Sequence, residues 1–592
     1  MNQGGEGRQS FNRSIVNSPT SLVPPNRPTG KRLNSPPLMV YSVGMKLLIV
    51  GGVAAGASAA ARARRLNEEA EIILFERGQF ISFANCGLPY HIGKVIANRR
   101  QLLVMPAAAF RARNRVDVRT LHEVTAIHRS EKKVSVKNLN TGESYFETYD
   151  KLVLATGSSP IRPSIPGADD PDVMQLWTMP DMDRIIARVE RGAKKAVVVG
   201  GGFIGLEVAE NLRELGLDVT IVEMLPQVLA TLDPEMAQPL AKELKQAGIQ
   251  LALGRRVTEI HRASTEETIE SELHVVLDDK TELQTKFVVM SVGVRPNSEL
   301  AEAAGLELSD RKGVLVNEYL ETSDPDIYAI GDVIAVRDLV TGELAQVPLA
   351  GPANRQGRIA ADNIMGRRRA YRGSLGTAVV KLFSKTAASA GLTEKRLKNA
   401  GRPYHKIYLH PFSHATYYPG ATQMAMKLLF DPEGKILGVQ IVGEKGVDKR
   451  VDVVATAMLA GMDVFGLEEL ELSYAPPYGA ARDPVNVAGM LAANVLRGDT
   501  CPVYPDQMPD DALMLDVREP SELEEGAFPA AEMIPLGQLR ARLQELPRDR
   551  RIVTCCRVGL RGYLAERLLR QHGFDACNLS GGLKTWKLYH EE

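Results

Sequence analysis

Two strand–glycine turn–helix–strand units, and an apolar strand breaking at a tight turn, predict an α/β protein built on parallel sheets. The units run from Lys46 to Glu76 and from Lys195 to Glu223; the strand Leu152–Pro160 breaks at Ala155-Thr156-Gly157. Parallel sheets of this kind gather their ligands at the carboxyl ends of the strands. The chain has 592 residues, enough for roughly four domains. Lys+Arg and Asp+Glu balance at 72 each, so no net field selects nucleic acid or a membrane as partner. Five cysteines (Cys86, Cys501, Cys555, Cys556, Cys577) are too few and scattered for a secreted disulfide scaffold. No C-x-x-C pair points to a zinc ribbon, and no metal site is expected. No run approaches the roughly 18 apolar residues of a membrane-spanning helix. The expected compartment is a reducing cytoplasm.

Residues 1–44 are rich in Ser, Asn, Pro, Gly and Arg, without apolar periodicity or a signal-peptide h-region. They read as a disordered extension ahead of a start at Met45. Lys46–Val50 reads as a buried parallel strand, followed by Gly51-Gly52-Val53-Ala54-Ala55-Gly56, a helix over Ala57–Leu66, and the strand Glu71–Phe75. Gly51 permits the tight turn, and the helix N-terminus offers free N–H groups to a pyrophosphate. Glu76, about twenty residues on, can accept hydrogen bonds from a ribose. Val53 stands where the fingerprint's middle glycine is usual, so this unit alone also fits a simple packing turn.

Next comes Ile81–Tyr90, ISFANCGLPY, which holds Cys86 between Asn85 and a Gly87-Leu88-Pro89 turn. The stretch is too short and too broken for a core helix. Its thiol is placed for reactivity, or it packs as a small buried residue; the dinucleotide signature just upstream favours the first. The second unit is complete. Gly200-Gly201-Gly202-Phe203-Ile204-Gly205 joins Lys195–Val199 to a helix over Leu206–Leu215, then Asp218–Val222 and Glu223. Two such fingerprints mean two dinucleotides. Thr322–Asp332 is a further strand that delivers Gly331 and Asp332 to its end, where an aspartate bonds a ribityl hydroxyl or caps a helix.

The order of these motifs resembles the two-dinucleotide-binding flavoprotein disulfide reductases, over about Met45–Arg497. SFANCGLPY resembles their single-cysteine branch, the coenzyme A-disulfide reductases and NADH-dependent persulfide/polysulfide reductases; glutathione-reductase-like enzymes carry C-x-x-x-x-C there. The resemblance implies FAD at Gly51, Gly52, Ala54, Ala55, Gly56 and Glu76, completed by Ala155, Thr156, Gly157, Gly331 and Asp332. It implies NADH or NADPH at Gly200, Gly202, Phe203, Ile204, Gly205, Glu223 and Gly293. Residues 45–167 and 292–370 would form the FAD-binding domain and 168–291 the NAD(P)H-binding domain. Residues 371–498, with strands such as Met426–Phe430 and Ile436–Val442, would form an α+β dimerisation domain, making the protein a homodimer. There Tyr417 and Tyr474 would reach Cys86 of the partner subunit, with Tyr418 and Tyr478 as neighbouring alternatives. Arg482 would meet coenzyme A phosphates, and Arg62, Arg65, Ser82 and Asn85 would make further coenzyme A contacts.

Residues 499–508, with Pro502 and Pro505, read as a linker. Beyond it, Met514–Pro520, Ile534–Pro547 and Thr554–Leu569 resemble a single α/β rhodanese domain, 509–592. Its six-residue loop would be Cys556-Arg557-Val558-Gly559-Leu560-Arg561. Backbone N–H groups of such a loop make an anion cradle that lowers a thiol pKa and holds a persulfide. Arg557 and Arg561 would add positive charge. Cys501, Cys555 and Cys577 fall in no motif and read as structural.

The implied activity passes electrons from NAD(P)H through FAD to Cys86, reducing coenzyme A persulfide, coenzyme A disulfide or polysulfide, while Cys556 handles sulfane sulfur. NADH is expected over NADPH, because Glu223 repels a 2′-phosphate and Met224-Leu225-Pro226 supplies no arginine. Two other readings use the same residues: an NADH oxidase or peroxidase working through a Cys86 sulfenic acid, and a non-enzymatic sulfur-relay or redox-sensing protein. The rhodanese-like segment favours sulfur over oxygen.

Overall fold

The computed structural model describes residues 44–262 and 272–590. The reading of residues 1–44 as disordered therefore lies, Gly44 apart, outside the described residues. The described residues build four five-stranded sheets. In the first, all parallel, Lys46–Val50 lies between Glu71–Glu76 and Lys151–Leu154, with Asp117–Thr120 and Ile327–Ala329 at the edges. The second repeats the plan: Lys195–Val199 lies between Asp218–Glu223 and Phe287–Met290, with Gln250–Leu253 and Val173–Met174 outermost. Each central strand is apolar because helices and loops cover both faces; Leu47, Leu48 and Ile49 are fully buried.

The third sheet is antiparallel, ordered Ala378–Leu382, Lys385–Gly391, Ile436–Gly443, Ala425–Phe430, His405–Leu409. The fourth is parallel: Pro502–Val503, Ala576–Leu579, Ile552–Cys555, Leu513–Asp516, Glu532–Met533. Pro502 and Val503 thus begin this sheet rather than serving only as linker. Among the described residues, no helix is long and apolar enough to cross a membrane.

Both helices that follow the glycine turns begin earlier than the apolar pattern predicts, at Ala54 and Phe203. The cause is steric. The last glycine of each motif lies inside the first helical turn, where a Cβ would stand 1.8 Å from the Gly51 carbonyl oxygen at Gly56 and 1.9 Å from that of Gly200 at Gly205. Only glycine lets the helix enter so close to its strand.

A buried ion cluster fastens the parts together. Lys427, from the third sheet, is 0 % exposed, and its ammonium contacts Asp233 (2.8 Å), Glu235 (2.6 Å) and Glu394 (2.7 Å). Asp233 and Glu235 begin the helix Pro234–Gln246, which packs beside the second sheet. The Tyr408 hydroxyl meets Glu235 and the hydroxyl of Tyr589 from the C-terminal helix, each at 2.7 Å. Lys406 reaches Asp506 at 3.3 Å. Burial presses the Lys427 pKa down, and the three carboxylates more than reverse it.

Candidate active site

The first glycine turn sits at the carboxyl end of its sheet, and its neighbours fix it there. Gly51 has φ +103°, and a Cβ on it would stand 2.1 Å from the Ala155 carbonyl oxygen. Ala155-Thr156-Gly157 thus touches the turn from the adjacent strand. Both Glu76 oxygens accept backbone N–H groups, from Gly52 at 2.8 Å and Gly78 at 2.7 Å. On the other side Gly331 (φ +81°) donates its N–H to Gln356 at 2.7 Å, and the Ser158 hydroxyl donates to Asp332 at 2.8 Å. Burial raises the Asp332 pKa, against the Ser158 hydrogen bond.

The second turn is built the same way. Gly200 has φ +109°, with a hypothetical Cβ 2.3 Å from the Ser291 carbonyl oxygen, and Glu223 accepts from Gly201 (2.6 Å) and Leu225 (2.8 Å). Gly293, just past Ser291, has φ +103°. The middle glycine behaves differently: no heavy atom lies within 4 Å of where a Gly202 Cβ would stand. The protein itself leaves that space open, which is why Val53 fits the equivalent place in the first turn. Two open cradles of N–H groups, each with an acid pinned at the next strand end, fit one dinucleotide apiece. Phe203 and Ile204 open the second helix.

Cys86 lies in a 3-10 turn, Asn85–Gly87, that leads into the short helix Leu88–Ile92. Ser82, left-handed at φ +46°, donates its N–H to the Gly52 carbonyl at 2.9 Å, which ties the cysteine stretch to the first glycine turn. Gly93 lets the second dinucleotide helix approach, because a Cβ there would stand 2.0 Å from Asn211 Oδ1. Cys86 is exposed at the junction of the two dinucleotide units. Burial, then Glu207, push its thiol pKa up, against a backbone hydrogen bond that favours the thiolate. Glu207 is a group that sequence reading missed. It accepts the Tyr90 hydroxyl at 3.1 Å, and burial pushes its carboxyl up to about 7. The available signal was an acid one turn into a helix whose glycine turn already marked a cofactor site.

The proposed coenzyme A residues separate. Arg62 pairs with buried Asp362, its Nε 2.8 Å and Nη2 2.6 Å from the carboxylate. Arg65 and Arg482 are exposed and make no ion pair among the described residues. Asn85 is half-buried beside Cys86. The Tyr417 and Tyr474 hydroxyls meet at 2.5 Å, with the side chains 74 % and 46 % exposed. Tyr418 packs edge-on against His414 instead, and Tyr478 stands exposed.

In the fourth sheet Cys556 directly follows the strand Ile552–Cys555 and is 1 % exposed. Its sulfur accepts the Gly559 N–H at 3.2 Å, within a loop pressed against Gly581 and Gly582. A Cβ on Gly582 would stand 2.2 Å from the Cys556 carbonyl oxygen. The expected excess of positive charge is smaller than the sequence implied. Arg561 pairs with both oxygens of Glu522 at 2.6 Å, and Arg557 with Glu525 at 2.7 Å. The Arg561 hydrogen bond holds Glu522 down to about 2. Cys501 and Cys577, read as merely structural, lie sulfur to sulfur at 2.8 Å, and the Cys577 thiol lowers the Cys501 pKa to about 7. Cys555 is buried, its thiol 3.5 Å from the Leu515 carbonyl.

Twin nucleotide cradles with one thiol at their junction define a pyridine nucleotide-linked thiol oxidoreductase. The chain belongs to the pyridine nucleotide-disulphide oxidoreductase family, whose model matches residues 45–357; the family's dimerisation domain matches 377–483 and a rhodanese-like domain 504–589. Coenzyme A disulfide reductase of Staphylococcus haemolyticus is 36% identical over 455 residues, 76% of this chain and 100% of that protein. Reduced Bacillus anthracis CoADR-RHD superposes with TM-score 0.89 at 46% identity, over 92% of this chain and 98% of that one. A NAD-dependent persulfide reductase from A. fulgidus gives TM-score 0.86 at 38% identity, over 92% of this chain and 100% of that one.

Proposed function

We propose that the protein is a homodimeric flavoprotein that reduces coenzyme A disulfide, coenzyme A persulfide or polysulfide at Cys86, with Cys556 as a separate sulfane-sulfur centre. The observation that carries this reading is the single thiol, Cys86, seated against the first glycine turn and beside the second dinucleotide helix. The turn Gly51–Gly56, Glu76, Ala155–Gly157, Gly331 and Asp332 would hold FAD, which when bound carries two electrons from nicotinamide to sulfur. The turn Gly200–Gly205 with Glu223 would hold the nicotinamide cofactor. Cys86 as thiolate attacks one sulfur of the acceptor, and the other sulfur leaves as thiolate or hydrosulfide. The disulfide or persulfide left on Cys86 needs two electrons to return to the thiol. Arg65 and Arg482 face solvent as cations suited to phosphates, and the exposed Tyr417–Tyr474 pair is suited to a partner's site.

The test is NADH consumption with coenzyme A persulfide, coenzyme A disulfide, polysulfide and peroxide. The expected result is turnover with sulfur acceptors and little with peroxide or air. Steady turnover with air alone would replace this reading with the oxidase one.

A further inference from the structure

Cys501 and Cys577 belong to neither the Cys86 nor the Cys556 site, and the fold brings them together across a sheet edge. Pro502–Val503 pairs in parallel with Ala576–Leu579, Pro502 opposite Asn578 and Val503 opposite Leu579. One step back along both strands sets Cys501 opposite Cys577, and the Asn578 N–H donates to the Cys501 carbonyl at 3.0 Å. Neighbouring strands run roughly 4.8 Å apart. That spacing lies within the roughly 4.4–6.8 Å between α-carbons that a disulfide spans. The side chains face each other: the Cys577 thiol donates to the Cys501 sulfur at 2.8 Å.

The two thiols differ in access. Cys501 is exposed, whereas Cys577 is 1 % exposed. Buried Glu566 holds the backbone behind Cys501, accepting the Cys501 N–H and the Thr500 hydroxyl. The hydrogen bond from Cys577 favours the Cys501 thiolate, with Arg551 and Arg570 assisting and burial and Glu566 opposing. The exposed sulfur is thus the nucleophile, and the buried one stands behind it as the resolving thiol. Cys555 is the contrast: it is buried, burial pushes its thiol pKa up, and its sulfur meets only the Leu515 carbonyl.

We propose that Cys501 and Cys577 form a third sulfur-reactive site, a dithiol that inorganic polysulfide converts to a disulfide. The Cys501 thiolate bonds to a terminal sulfur of the polysulfide, the adjoining sulfur–sulfur bond breaks, and a polysulfide one sulfur shorter leaves. Cys577 then bonds to the Cys501 sulfur, and the outer sulfur of the Cys501 persulfide leaves as hydrosulfide with the Cys577 proton. Two electrons pass from the two thiols to one sulfane sulfur, and a small thiol reverses the change by exchange. The new bond fastens the outermost strand of the fourth sheet, which follows the helix Pro484–Leu496, to its neighbour. The step uses neither Cys86 nor Cys556, so it stands or falls apart from the function proposed above.

Brief exposure of the FAD-loaded full chain to inorganic polysulfide, then alkylation of the remaining thiols and peptide mapping by mass spectrometry, tests this. The expected product is a cross-linked Cys501–Cys577 peptide, with Tm raised by about 5 °C and returned to its starting value by dithiothreitol. Cys577→Ser should stop at a Cys501 persulfide, Cys501→Ser should leave Cys577 a free thiol, and neither should show the rise in Tm. NADH-dependent reduction of coenzyme A disulfide should be unchanged in both variants, which reports correct folding. The unsubstituted chain decides the matter on its own should a variant fail to fold. Recovery of both cysteines as free thiols, or a Cys501 persulfide that persists beside an unreacted Cys577, would overturn the site. A cross-link with unchanged Tm would overturn its fastening role.

Discussion

Glu207 shows how a single carboxyl can link the two halves of the reductive site. It lies on the second dinucleotide helix, yet it accepts the hydroxyl of Tyr90, four residues after Cys86. Its folded pKa of about 7 exceeds the ordinary 4.5, so its contribution to stability is complete below pH 4.5 and is lost as pH rises through 7. Glu207→Gln keeps an acceptor for Tyr90 but cannot ionise. It should stabilise the protein by about 2 kcal/mol at pH 8 and give no gain near pH 4. Thermal unfolding at the two pH values measures this, and equal shifts at both would show a solvated carboxylate. Glu223 is expected to select the nicotinamide cofactor in the same local way. Two backbone N–H groups pin it at the strand end, which favours a ribose hydroxyl over a 2′-phosphate. The structure adds what adjacent sequence did not offer: Arg256 arrives from another segment, its Nη2 3.5 Å from Met224 Sδ. NADH should still be preferred, by about tenfold in kcat/KM. Equal values would mean that Arg256 receives the phosphate and offsets Glu223.

At the scale of elements, what was legible in the sequence was what backbone sterics dictate. Gly51, Gly56, Gly200 and Gly205 can be nothing else where they stand, so the two units read directly from the chain. The helix starts were misplaced because apolar periodicity begins only after the glycine that the helix already contains. Lys427 was illegible for the opposite reason. In the strand Ala425–Phe430 it looks like an ordinary polar residue, but its partners come from two separate helix starts far away in sequence. Lys427→Met would leave three buried carboxylates facing one another and should cost about 3–5 kcal/mol in denaturant unfolding. A loss below about 1 kcal/mol would show that the cluster takes up protons and relaxes. The pairing of Cys501 with Cys577 was hidden likewise, since it depends on Pro502–Val503 joining the fourth sheet as a strand.

For the whole molecule, the motifs around the two cysteines were visible in the sequence, while the surfaces joining them were not. Cys86 lies where the two dinucleotide cradles meet, and Cys556 is buried in a loop on a different sheet with no nucleotide cradle of its own. Sulfane-sulfur transfer moves an atom without net redox change, whereas releasing sulfide consumes two electrons. Among the described residues, both glycine-turn helices lie in the Cys86 half. The most direct measurement of this division is both activities in both variants: NADH-dependent reduction of coenzyme A persulfide, and thiosulfate-dependent sulfur transfer, in Cys86→Ser and Cys556→Ser. Cys86→Ser should abolish the first while NADH still bleaches the flavin, and Cys556→Ser should abolish the second and leave reduction of free coenzyme A persulfide largely intact. Loss of persulfide reduction in Cys556→Ser as complete as in Cys86→Ser would contradict the account and place Cys556 in the reductive site itself.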